Sequence, residues 1–137
     1  MMKRDRRLHG LSSDHHHALV LARALASRVE PWSAADGDAL ASRFLSELEP
    51  HFRIEEEVLL PALRATSAAE LAERTLAEHE ALRSALEAAR AGDLAAARAL
   101  GHALREHVRM EERELFPACE ELLSHDVLDR VGRRAPR

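Results

Sequence analysis

Apolar residues recur along most of this chain at spacings of three and four, the period of an amphipathic helix. The first stripe reads Leu11, His15, Ala18, Leu19, Ala22, Leu25 and Val29. It predicts a helix that starts near Ser12 to Asp14, where good N-cap residues cluster, and stops at the "EPWS" of Glu30 to Ser33. Ser33 with Asp36 has the spacing of a capping box and opens a second helix, which carries Leu40, Phe44 and Leu48. Pro50 then predicts a kink or short break, since proline lacks the N–H and its ring crowds the preceding turn. The stripe resumes through Ile54, Val58 and Leu59 toward Pro61. Ser67 with Glu70 marks the start of a third helix through Leu71, Leu76, His79, Leu82 and Leu86. Gly92 and Asp93 form a turn into a fourth, through Leu100, Leu104, His107, Met110 and Phe116 to Pro117. A short last helix reaches Val131.

Four amphipathic helices joined by short turns predict an all-α fold, an antiparallel up-down-up-down four-helix bundle with a short C-terminal helix. With 137 residues, one domain is expected, over residues 8–131, between flexible basic tails at 1–7 and 132–137. Ala and Leu dominate the hydrophobic share, while the β-branched and aromatic residues favoured in strands are scarce. A net charge of −4 gives no electrostatic reason to expect nucleic acid or an anionic membrane as partner. No apolar run approaches the ~20 residues that span a bilayer, and the basic start has no apolar signal segment. The single Cys119 fits a reducing compartment, so a cytoplasmic location is expected.

The chemistry lies in a repeat. "HFRIEEEVLLPAL" begins at His51 and "HVRMEERELFPAC" at His107. In a helix, residues i and i+4 share a face, so His51 neighbours Glu55 and His107 neighbours Glu111. Both pairs lie on apolar stripes and point inward. A carboxylate buried alone costs several kcal/mol or takes up a proton, so two inward Glu demand cations or strong donors. The third helix adds His79 between Leu76 and Leu82. The first adds one imidazole from "DHHH", either His15, which keeps the stripe, or His16, whose "HHAL" aligns with "HEAL" at His79. Glu56, Glu57, Glu112 and Glu114 are expected to be solvated, and Arg53 and Arg109 to face away. Imidazole mixed with carboxylate, without thiolate, on facing helices of a bundle suits a pair of non-haem iron or manganese ions.

These elements, "DHH", "HFRIEEEVLLP", "EHEAL" and "HVRMEERELFP", resemble the hemerythrin-like HHE cation-binding family over residues 8 to 123. The resemblance implies a four-helix bundle around a non-haem di-iron centre. His15, His51, His79 and His107 are then terminal ligands, with Glu55 and Glu111 as bridges. Two iron ions are the implied cofactor, with manganese or zinc as alternatives. A small diatomic molecule (oxygen, nitric oxide) or a peroxide is the implied ligand. Oxygen carriers of the family have a second His one turn beyond the third-helix ligand, where this chain has Arg83, and place the fourth-helix carboxylate one residue later than Glu111. Fewer imidazoles should favour reaction with oxygen species over reversible carriage, and Arg83→His should restore the missing ligand. A metal-ordered protein-interaction module is the second reading. Metal removal is expected to destabilise the bundle most at neutral pH, with Glu55 or Glu111 taking up a proton.

Overall fold

The computed structural model describes residues 3–136. Among them are five helices: α1 (His9–Ala26), α2 (residues 34–64), α3 (Ala69–Ala91), α4 (residues 94–122) and α5 (His125–Arg134). Here α1 packs along α4, α4 along α3, and α3 along α2, while α5 closes one end. No described helix is long and apolar enough to cross a membrane.

Several helix starts follow the sequence. Ser33 and Asp36 form the full capping box of α2, Asp93 accepts from the Ala96 N–H at the head of α4, and Ser124 caps α5. Others do not. The first helix begins earlier than Ser12: Asp5 accepts from the Arg7 N–H and starts a short 3-10 turn, Arg6–Leu8, that leads straight into α1. Helical period does not reveal such a cap, because the turn is held locally. The expected Ser67 cap is absent, since α3 follows Ala68, whose N–H is taken by the Thr66 hydroxyl. Arg4 reaches Glu112 and Glu120, and α5 continues past Val131 to Arg134.

Pro50 does not break α2, which runs on through it. A π-helical turn, Phe44–Leu48, precedes it, and two more occupy Glu55–Leu59 and Glu111–Leu115. Each π turn ends two residues before a proline: Leu48 before Pro50, Leu59 before Pro61, Leu115 before Pro117. The widened turn accommodates a ring that would collide with a regular helical carbonyl and a residue with no N–H to give.

Two apolar clusters fill the bundle. One holds Leu25, Phe44, Phe52, Leu86 and Leu104; the other Leu11, Leu59, Leu63, Phe116 and Cys119. On every long helix the inward His falls between residues of the two clusters, so a polar layer crosses the core at one level. Where α1 meets α4, Gly101 leaves no space for a side chain: a Cβ there would lie 2.6 Å from the Ala26 nitrogen and 2.7 Å from the Ala22 oxygen. Gly101→Ala is therefore expected to cost about 1–3 kcal/mol by forcing the two helices apart. A thermal melt followed by circular dichroism checks this, and an unchanged Tm would show that the contact yields freely.

Candidate metal centre

The polar layer gathers the six expected side chains. His15, His51, Glu55, His79, His107 and Glu111 are all buried, the two carboxylates completely, whereas His16 and His17 face solvent. The stripe through Leu11 and Ala18 therefore sets the phase of α1, and the alignment of "HHAL" with "HEAL" does not.

The distances define two positions that share both carboxylates. At the first, Glu111 Oε1 lies 2.7 Å from His15 Nε2 and 3.4 Å from His51 Nε2, and Glu55 Oε2 lies 3.0 Å from His51 Nε2. At the second, Glu111 Oε2 lies 2.8 Å from His107 Nε2 and 3.3 Å from His79 Nε2, and Glu55 Oε1 lies 3.0 Å from His79 Nε2. Each carboxylate thus offers one oxygen to each position. Within each group of four residues the ligand atoms lie within 4.8 Å of one another.

The opposite edge of each ring is held by another acid. His15 Nδ1 lies 2.6 Å from Glu112, His51 Nδ1 3.0 Å from Asp14, His79 Nδ1 2.6 Å from Glu56 and His107 Nδ1 2.8 Å from Glu78. A carboxylate accepts, so each Nδ1 donates and each Nε2 is left with its lone pair toward the centre. The arrangement is a closed ring. An acid on α1 holds the imidazole of α2, one on α2 holds that of α3, one on α3 that of α4, and one on α4 that of α1. This corrects the expectation that Glu56 and Glu112 are merely solvated, and it accounts for the second Glu of each repeat. Arg53 does face outward.

Two of the four imidazoles carry a further layer. Phe116 stacks on His15 at 5.2 Å between centroids, and Arg4 lies over Phe116 while binding Glu112. Phe52 stacks on His79 at 4.1 Å, and Arg83 lies over Phe52 while binding Glu56 at 2.9 Å and Glu49 at 2.6 Å. Arg83 is thus tied into this outer layer by Glu49, Glu56 and the Phe52 ring.

The donor set fits metal ions. Both oxygens of Glu55 and the Nε2 of His107 are buried without an aligned hydrogen bond. Lone pairs therefore converge on a dry interior and demand positive charge. Without metal, protons fill that role on the imidazoles. Burial lowers the pKa of His79, yet hydrogen bonds and charge from Glu111 and Glu55 outweigh it and push it up to about 10. His107 reaches about 9 by the same contest, with Glu111 the main partner. Burial works equally against the charge of Glu111, but the imidazoles, His107 foremost, hold its carboxyl well below the ordinary range. In the metal-free site the imidazoles are therefore protonated and Glu111 stays ionised, so of the two carboxylates expected to compete for a proton, Glu55 and Glu111, the second does not take one.

Cys119 is buried in the apolar cluster, its thiol pushed well above the usual range by burial and by the charges of Glu55 and Glu111. It serves packing.

A family model for the hemerythrin HHE cation binding domain matches residues 6–119. Searches among curated proteins and among solved structures find no match.

Proposed function

Since the chain belongs to the hemerythrin HHE cation-binding family, we propose that its buried layer holds two non-haem iron ions and that the protein binds or reacts with oxygen, nitric oxide or a peroxide. The observation that carries this reading is the pair of four-residue groups sharing Glu55 and Glu111, with imidazole and carboxylate donors and no thiolate. His15 and His51 would hold one ion, His79 and His107 the other. When bound, iron supplies redox electrons and open coordination positions for a small molecule.

The chain's own residues set the conditions. Asp14, Glu56, Glu78 and Glu112 fix the imidazoles with Nε2 inward, as partners of metal-bound histidines do. Phe52, Ile54, Met110 and Leu115 are buried beside the layer and keep water away. Four imidazoles leave more positions exchangeable than five would, which supports reaction over reversible carriage. The short turns joining successive long helices support an up-down-up-down order. A free thiol and ferrous iron both suit a reducing cytoplasm.

Loading the metal-free protein with ferrous iron under argon is expected to give two ions per chain, and admitting oxygen or nitric oxide should then change the near-ultraviolet absorbance. His51→Ala and His107→Ala should lose metal, whereas His16→Ala should keep it. Well under one ion per folded chain would remove this reading. Metal-dependent melting with no response to either gas would favour the interaction module.

A further inference from the structure

Building on that metal reading, we propose that the cavity between α1 and α2 is the path by which a divalent cation reaches the buried layer, with Asp14 and His17 as its docking pair.

The cavity has a volume of about 410 Å³, and its lining includes Asp14, His17, Ala18, Ser46, Glu47 and His51. His51 forms its inner wall and is a member of the first metal position. The Asp14 side chain is 41% exposed, so it meets both the open cavity and the ring of His51, 3.0 Å away. His17, exposed on the same helix, stands at i+3 from Asp14 and shares its face. Carboxylate beside imidazole is a donor pair that divalent cations accept in exchange for water. This gives the last histidine of "DHHH" a part that the buried layer does not use.

The other sides are closed or less suited. Glu112, Phe116 and Arg4 cover His15, and Glu56, Phe52 and Arg83 cover His79, so each of those rings sits behind a cation. His107 backs onto a smaller cavity of about 180 Å³, whose lining includes Arg74, bound to Glu78. That cavity has less than half the volume of the larger one, and Arg74 in its lining is tied to both Glu78 and Glu114. Arg134 also borders the larger cavity, but its charge is taken up by Glu57 at 2.7 Å.

The test is the rate of Co²⁺ uptake by the metal-free full-length protein, followed by stopped-flow absorbance, with the final Co²⁺ content measured separately. His17→Ala and Ser46→Trp (an exposed position at the rim, where the indole would fill the mouth) should each slow uptake by about tenfold, a barrier rise of about 1.4 kcal/mol. Both should reach the same final content as the unmodified chain. Ala103→Trp, which fills the smaller cavity, should leave the rate unchanged. Full final content with unchanged rates in His17→Ala and Ser46→Trp would overturn this path alone, as would slowing by Ala103→Trp in their place. No Co²⁺ bound by the unmodified protein at long times would overturn the metal reading and the path with it.

Discussion

Metal-free protein should lose stability steadily as pH rises from about 6.5 and reach its minimum above about 10, while the metal-loaded protein stays nearly flat over that range. The unfolded chain titrates its histidines near the free value of about 6.5. The folded, metal-free site holds them higher, with His79 at about 10 and His107 at about 9. A group raised on folding contributes fully below its unfolded pKa, and that contribution fades as pH climbs through the folded one. Deprotonating the imidazoles leaves Glu55 and Glu111 facing lone pairs with no positive charge. The loss should be on the order of 5 kcal/mol, or about 15–25 °C in Tm for a chain of this size. Bound metal replaces the protons and removes the dependence. The gap between the two forms therefore widens upward in pH instead of peaking at neutrality. Paired thermal melts across this range check it, and parallel curves would show that the imidazoles are not the proton holders.

Glu111→Ala should empty the centre, and Glu55→Ala should do so less completely. Glu111 faces all four imidazoles, at 2.7 to 3.4 Å, whereas Glu55 faces His51 and His79 alone. Removing Glu111 takes one donor from each position and leaves four imidazoles around a single carboxylate. Metal content should fall from two ions per chain to below about a tenth of that, the scale of losing a charged donor from a buried site. Either removal leaves three donors at each position, but Glu55→Ala keeps the carboxylate that faces all four imidazoles and should retain part of its metal. Elemental analysis of the dialysed variants decides the order, and equal retention would show that Glu111 is no more central than Glu55.

The six inward side chains were readable because they obey the same period as the leucines around them. Glu55 and Glu111 stand out in particular: a carboxylate on an apolar stripe is conspicuous. The four outer acids were not readable that way. Asp14 and Glu78 stand one residue before an inward His, and Glu56 and Glu112 one residue after an inward Glu. A period argument assigns all four to solvent, yet each reaches sideways to the neighbouring helix. Their signature was present as doubled acids and as an acid preceding His, but only the packed bundle shows which ring each one meets. The 3-10 turn capped by Asp5 and the seat of Arg4 over Phe116 were hidden for other reasons. The turn is held by a local bond that helical periodicity does not record, and the seat of Arg4 depends on where α4 lies.

The π turns have a mechanical side. A widened turn in a helix is a dislocation: it moves along the rod when successive N–H groups exchange one carbonyl partner for the next. Pro61 and Pro117 have no N–H to exchange, so two of these dislocations are pinned just ahead of a proline, and each begins at an inward carboxylate, Glu55 or Glu111. Backbone slack is thereby stored at the two residues whose oxygens must serve both positions at once. The rest of α2 and α4 can remain stiff while those two carboxylates keep room to adjust.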